Sequence, residues 1–568
     1  MNIEFLNNWD RIGMVLGNTS TDTYNFSLKG MKGNVGDIVA CHCEVPNSDK
    51  TGVFDVLIWG RIVSIDRFNP FFPQEAAMEI AENAIPLENT PLSISRDHLN
   101  AEVQVMGMTS VEESEELFLK PLSYPVQPAA AVYYPDNSYI KKLLNGSLKD
   151  KTPLHIGSLI ARSDVQVSLS AQEVVSKHLA ILAMTGGGKT VAARQVLSEL
   201  IKIEYPLIIF DPHGDYIGFY ENQEYFKDSK IKLFYPKIRC TESEADNIIH
   251  SIIEKLGIDF TPPQKDVLGD LINNVSYDPN SDMIEHFKKM SHKASSDANE
   301  DGSKSRGNKS TYRAVARGLR FVTEKLTNME RSNENLRKKF KGYKFEAMPD
   351  PFNDPDELIN RSQVSIIYLG GYDHITQSSI VSIVMESLFN HRSSYEDRIP
   401  RFLAVIEEAH NFIPSGKEGT RDTPSLPTLR KVITEGRKFG TGLMIISQRP
   451  GRLDETTLSQ CNTFLVLKLV NPNDQRWVKN VMENLSEKDA NWLKAFGPGQ
   501  GLISGHAVSY PLQVQVKFDE NLRSKKLGDE DFIKENKSWD PDKYKDKNEN
   551  SDIIKSINNS SKRSKKKI

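Results

Sequence analysis

The rhythm of apolar and polar positions along the chain changes near residue 150. Before it, short segments of β character recur at Arg11–Leu16, Asp37–Val45, Phe54–Val63 and Ala101–Met106, separated by turn clusters such as Lys32–Asp37. Many short strands joined by glycine turns predict a small β-barrel over residues 1–120. The stretch Tyr124–Asp136, bearing proline and tyrosine, reads as part of a linker at 121–150. From 151 to 520, continuous apolar runs alternate with helical segments: Leu179–Leu182, Leu207–Phe210, Val364–Leu369, Phe402–Ile406, Leu443–Ile446 and Phe464–Leu467. Strands without polar alternation are buried on both faces, so the pattern predicts an α/β core with a parallel sheet covered by helices. Residues 241–345 keep a helical period, as in Ala245–Leu256, but lack strand runs; they are read as a helical insertion. Within them, Ala294–Ser310 has almost no apolar content and is predicted to be disordered. Beyond Val516 the chain turns polar, and 521–568 is predicted to be a disordered basic tail ending in Lys562–Lys567.

Composition narrows the class. The chain has 568 residues, 26% charged and 38% hydrophobic, the balance of soluble globular proteins. No apolar run approaches the length of a bilayer span, and Met1–Phe5 lacks the basic and apolar regions of a signal peptide. The expectation is a cytoplasmic protein with no membrane partner. Of the cysteines Cys41, Cys43, Cys240 and Cys461, only the first two are close, and Cys-His-Cys has no second ligand pair to complete a zinc site. Reduced core residues are expected. The net charge of −4 conceals an asymmetry. Residues 521–568 hold 14 Lys/Arg against 9 Asp/Glu, a surplus of five that leaves the rest at −9. A body so acidic does not bind nucleic acid over its whole exterior; basic groups would have to be concentrated in a pore or groove.

The candidate chemistry begins between Leu179–Leu182 and the helical segment Val191–Leu197, at Ala183-Met-Thr-Gly-Gly-Gly-Lys-Thr190. A strand, a glycine-rich loop and a helix start are the setting of a phosphate-binding loop. Thr185, Gly186, Gly187, Gly188, Lys189 and Thr190 are the predicted nucleotide-binding residues, with ATP and Mg²⁺ as ligands. The glycines let backbone N–H groups approach phosphate oxygens at the positive end of a helix. Lys189 would reach the β- and γ-phosphates, and the Thr190 hydroxyl would ligate Mg²⁺. Ala183 stands where such loops usually begin with glycine, which is tolerable if its φ is negative.

The run Phe402–Ile406 delivers Glu407 and Glu408 where α/β sheets bind ligands. Glu407 would hold Mg²⁺ directly or through water, and Glu408 would orient the attacking water. Gln448, at the tip of the next strand, is placed to sense the γ-phosphate. Arg437 has two readings: an arginine finger entering a neighbouring subunit's site, or a cation satisfying carbonyls at a helix end. Asp211, in Asp211-Pro-His-Gly-Asp215, either adds a metal-binding carboxylate or builds a turn, and is counted here with the metal ligands. His213 and His410 read as hydrogen-bonding loop residues. The spacer Ser415–Asp422 is either a pore loop contacting DNA phosphates through Lys417 and Arg421 or a solvated surface loop.

The set Ala183–Thr190, Asp211–Tyr216, Glu407–Asn411, Glu435–Gly440 and Ser447–Pro450, in that order, resembles the HerA branch of the FtsK/HerA translocases. The N-terminal β region resembles the family's small barrel, and Gly499–Pro511 its C-terminal strand pair, so the likeness covers about 1–516. The resemblance implies a RecA-like core and a hexameric ring ATPase that pumps double-stranded DNA. In archaea it implies partnership with a NurA-type nuclease in resecting broken ends. It also suggests a basic residue acting in trans at Lys177. Glu407 departs from the aspartate that many P-loop enzymes carry there. Competing readings are a conjugation- or secretion-type pump, a nucleotide-gated DNA clamp without turnover, and a defence ATPase coupled to another nuclease. DNA-stimulated ATPase activity separates the first from a DNA translocase. The intact Lys189, Thr190 and Glu408 set argues against the second.

Overall fold

The first six strands close on themselves. β1 (Asp10–Thr19), β2 (Thr23–Leu28), β3 (Ile38–Pro46), β4 (Val53–Phe68), β5 (His98–Ser110) and β6 (Ala131–Tyr134) form a barrel in the order β1-β2-β5-β4-β3-β6, antiparallel at every pair. Its interior is filled by alternate side chains, among them Ile12, Val15, Phe26, Val39, Ile58 and Val103. Cys41 and Cys43 are free thiols of this interior, and Cys461 is buried in the core domain. Cys240 lies outside the described residues. The computed structural model describes residues 6–523 except 7, 31, 47–51, 69–77, 79–97, 112–116, 147, 149–150, 239–244, 276–282, 300–307, 395–397, 417–422, 483–486 and 509, together with 536–537. Residues 1–523 form one unit and 524–568 a second, so the basic tail falls outside the described residues but for three positions at its start and those two.

The reading of 121–150 as a linker is corrected. β6 lies within it and closes the barrel against β1 and β3, and α1 (Asn137–Gly146) follows. A four-residue strand closes a barrel through main-chain bonds, which hydropathy does not report.

Among the described residues the second sheet has twelve strands. They are β7 (Pro153–Leu159), β8 (Gln166–Ser170), β9 (Leu179–Leu182), β10 (Leu207–Asp211), β11 (Lys230–Tyr235), β12 (Phe345–Ala347), β13 (Gln363–Tyr368), β14 (Phe402–Ile406), β15 (Thr441–Ser447), β16 (Thr463–Leu467), β17 (Gln500–Gly505) and β18 (Leu512–Val516). The order is β12-β11-β13-β10-β14-β15-β9-β16-β17-β18-β7-β8. The eight strands from β12 to β16 are parallel; β16 to β8 pair antiparallel. The sheet is therefore mixed rather than purely parallel. The apolar runs marked the parallel part, where β9, β10, β13, β14, β15 and β16 are buried at every position. The antiparallel flank alternates, as in β7, and carries weaker signals.

α2 (Ala171–Ser176) and α3 (Lys189–Lys202) pack on this sheet, and the expected insertion holds α4 (Ala245–Lys255), α5 (Pro262–Asn274), α6 (Met283–Asp297) and α7 (Lys309–Lys339), which pack on one another. Ala294–Asp297, expected to be disordered, complete α6, and Ala294 is buried; residues 300–307 lie outside the described ones. Tertiary burial of one face overrides a polar composition there. Three further helices are α8 (His374–Ser393), α9 (Ser425–Phe439) and α10 (Glu487–Ala495). No helix among the described residues is long and apolar enough to cross a membrane.

Candidate active site

β9 ends at Leu182 and the chain turns through Ala183–Gly188 into α3. Gly186 and Gly188 have φ of 77° and 95°, the left-handed region that a side chain would strain. Ala183 has no positive φ, so its methyl is accommodated. A Cβ on Gly188 would lie 2.8 Å from the Gly499 nitrogen. The turn is thus pinned against the strand pair β17–β18, with Gly499 N donating to Gly187 O at 3.2 Å. The first turn of α3 carries no acidic residue, leaving the positive helix end free for an anion.

β14 and β10 bring the carboxylates to the same edge. The Lys189 ammonium bonds Glu407 Oε1 and lies 3.0 Å from Glu408 Oε1. Glu408 adopts φ 51°, ψ 46°, a left-handed conformation that costs a non-glycine residue about 1–2 kcal/mol. Gln448 Nε2 donates to Glu408 Oε1 at 2.8 Å, and Thr185 Oγ1 donates to Gln448 Oε1 at 2.5 Å. Glu408 Oε2 is buried without a hydrogen bond; His410 Nδ1 stands 3.3 Å away but misses hydrogen-bond geometry. His410 also lies 3.2 Å from Ser447 Oγ.

Environment separates the two carboxyls. Burial pushes Glu407 up to about 7, with the Lys189 charge and the Tyr216 hydroxyl only partly opposing it. Burial also opposes ionisation of Glu408, but His410 and Lys189 override it and pull this carboxyl down to about 2. Desolvation disfavours the Lys189 charge, yet the two carboxylates raise its pKa above the ordinary value.

A cavity of about 650 Å³ opens beside these groups. Thr185, Gly186, Gly188, Lys189, Thr190, Glu408 and Gln448 all line it, as does His213. Glu407 does not: it is fully buried behind Lys189, with its second oxygen bonded by Tyr216. Asp211, expected among the metal ligands, builds the turn that follows β10. Its Oδ1 accepts from the backbone N–H of His213, Gly214 and Asp215 (3.1, 2.7 and 3.1 Å) and its Oδ2 from Tyr216 (2.9 Å), so both oxygens are committed. Arg437 lies exposed in the last turn of α9, away from the cavity lining and with no ion pair to any described residue. Lys177 sits at the opposite end of β9, held by Glu173 (2.7 Å) and His506 Nδ1 (3.1 Å). Lys417 and Arg421 lie outside the described residues. Sequence reasoning missed the opposite wall, Pro498, Gly499, Gln515, Val516 and Phe518, where no residue type announces nucleotide contact. It also missed Tyr216, although the hydroxyl next to a turn aspartate quoted in the motif was a usable signal.

Residues 154–388 match the family described as Helicase HerA, central domain. A probable helicase of Methanocaldococcus jannaschii is 28% identical over 545 residues, covering 93% of this chain and 96% of that protein. The DNA double-strand break repair helicase HerA of Pyrococcus furiosus is 25% identical over 568 residues, covering 90% and 93%. Over most of its length the chain is thus similar to proteins named as HerA-type helicases. The solved structure of VirB4 of Thermoanaerobacter pseudethanolicus is 15% identical, with TM-score 0.44, and covers 65% of this chain and 98% of that one.

The pocket fits a nucleoside triphosphate by its own chemistry. A cationic side chain now neutralised by two carboxylates, an orphaned buried carboxylate oxygen and a glycine cradle at a helix N-terminus all await a polyanion and its counter-ion. Of the residues expected at Mg²⁺, Thr190 lines the cavity and Glu407 backs it. No cluster of three or more metal-type ligands occurs among the described residues.

Proposed function

We propose that this chain is an ATP-hydrolysing translocase of double-stranded DNA that works as a homo-oligomeric, hexameric ring and powers end resection by a NurA-type nuclease. The observation that carries the reading is the Lys189 ammonium lodged between Glu407 and Glu408, with Gln448 and Thr185 continuing the chain of polar contacts into the cavity. Relatives named as DNA double-strand break repair helicases support the assignment of substrate and process. Lys189 neutralises charge on the transferring phosphoryl group, as backbone N–H groups of 186–190 hold the phosphates. Glu408, ionised at neutral pH, accepts the hydrogen bond that orients the attacking water, and Gln448 couples it to Thr185 on the loop. Thr190 on the cavity wall, backed by Glu407, would hold Mg²⁺, which would offset charge on the phosphate oxygens. Arg437, exposed and unpaired, completes a neighbouring subunit's site. Lys417 and Arg421 contact the DNA backbone in the pore, which suits a body whose net charge elsewhere is negative.

Exposed Val53 and Phe68 on β4 support the barrel as the nuclease's platform. The test combines the chain with a NurA-type nuclease and linear duplex. Degradation is expected to require ATP, to stop with Lys189→Ala, and to fail with Val53→Glu/Phe68→Glu while DNA-stimulated ATPase persists. Degradation independent of ATP overturns the coupling; ATPase indifferent to DNA favours a pump with another cargo.

A further inference from the structure

The wall of the nucleotide cavity facing the phosphate loop is built by segments that are themselves fastened to the barrel. α10 runs into the turn Phe496–Gly499, and Gly499 bonds the phosphate loop at Gly187. On α10, Asp489 forms an ion pair with Arg61 of β4: Arg61 Nη2 donates to Asp489 Oδ2 at 2.9 Å, and Nη1 stands 2.8 Å from Oδ1 without hydrogen-bond geometry. These side chains are 2% and 1% exposed. Arg61 is further bonded to Gln104 Oε1 at 3.2 Å, and the adjacent Lys488 bonds Ser64 Oγ at 2.7 Å and Glu102, so α10 is held from β4 and β5 together. Lys488 is part-exposed and lends little, whereas the Arg61–Asp489 pair is shielded from solvent.

An ion pair with both partners desolvated is a poor choice for stability alone, because apolar residues of the same volume do as well. What it supplies is a fixed position. From it, a short rigid path of helix and tight turn sets where Gly499 meets the loop that cradles phosphate. We propose that Arg61 and Asp489 are positioning residues for nucleotide binding: the barrel, through this pair, holds the pocket wall against the phosphate loop. The inference rests on the reading of the cavity as an ATP site.

The test uses the full chain, a fluorescent ATP analogue and steady-state ATPase. Asp489→Asn and the milder Arg61→Lys are expected to raise the nucleotide Kd by on the order of tenfold, with kcat at saturating ATP within about twofold of the parent. The amide of Gly499 is expected to exchange faster with solvent in both. The reversed pair Arg61→Asp/Asp489→Arg should bind more tightly than either single reversal. A merely structural pair gives the opposite split: a lower melting temperature and active fraction, with Kd and Gly499 exchange unchanged in the folded protein. That result in Arg61→Lys overturns the proposal. If instead the parent chain binds no ATP, or Lys189→Ala leaves binding intact, the reading of the cavity fails, and both results are obtained without any change at Arg61 or Asp489.

Discussion

Glu407→Gln is expected to make the nucleotide-free protein more stable at alkaline pH. The parent carboxyl is fully buried and raised to about 7 from an ordinary 4.5. Between those values the folded chain holds a proton that the unfolded chain has released, so stability falls as pH rises through that window. At about 1.4 kcal/mol per pH unit, the full fall is about 3 kcal/mol, complete above pH 7. Glutamine keeps the volume and an acceptor for Lys189 but never ionises. Part of the gain is lost because Lys189 then keeps one carboxylate, Glu408, at 3.0 Å, so the net expectation is about 1–3 kcal/mol. Glu408 does not blur the comparison: held at about 2, its stabilising effect is complete above 4.5 and is lost only as pH falls through 2. The assay is urea unfolding of both proteins without nucleotide at pH 5.5 and pH 8.5, compared at a common slope. The variant should lead at pH 8.5, with the gap shrinking toward pH 5.5. A variant less stable at pH 8.5, or a gap independent of pH, refutes the argument that burial of this charge is a cost carried for function.

Other outcomes follow from the same geometry. Glu408→Gln should leave binding of a fluorescent ATP analogue intact while slowing hydrolysis by about a hundredfold or more, because the phosphate contacts survive and water orientation does not; near-normal turnover excludes the role. Mixing Arg437→Ala with Glu408→Gln subunits should restore some ATPase if Arg437 acts across an interface, and no recovery in rings shown to exchange subunits counts against it. Asp211→Ala should cost about 3 kcal/mol of stability through four unsatisfied N–H groups, yet leave the Mg²⁺ dependence of ATPase unchanged in the folded fraction; a shifted Mg²⁺ requirement restores Asp211 as a ligand.

The parallel strands were legible because burial on both faces writes itself as uninterrupted apolar runs, and β14, Phe402–Ile406, matches its run end to end. β2 (Thr23–Leu28) and β11 (Lys230–Tyr235) were not, since their alternation is short and polar positions interrupt it. In the site, Lys189, Glu408, Gln448 and Thr185 were readable from their place at strand ends, and they meet across up to 263 residues of sequence. Asp211 was ambiguous because an aspartate before Pro and Gly serves a turn as readily as a metal. The pair Arg61–Asp489, separated by 428 residues, left no local trace at all.

The place of β18 bears on how the chain is made. β7 and β8 leave the ribosome early, yet among described pairings the hairpin joins the sheet only through β18, as in Val514 opposite Leu159. The same strand delivers Gln515 and Val516 to the nucleotide cavity. Pairing over so long a separation is slow, and until it happens the hairpin edge is open to wrong partners. A nascent chain that has not yet exposed Leu512–Val516 therefore has a phosphate loop but no closed pocket around it. The wall of the nucleotide cavity is complete only once β18, the last of the described strands, has paired with β7.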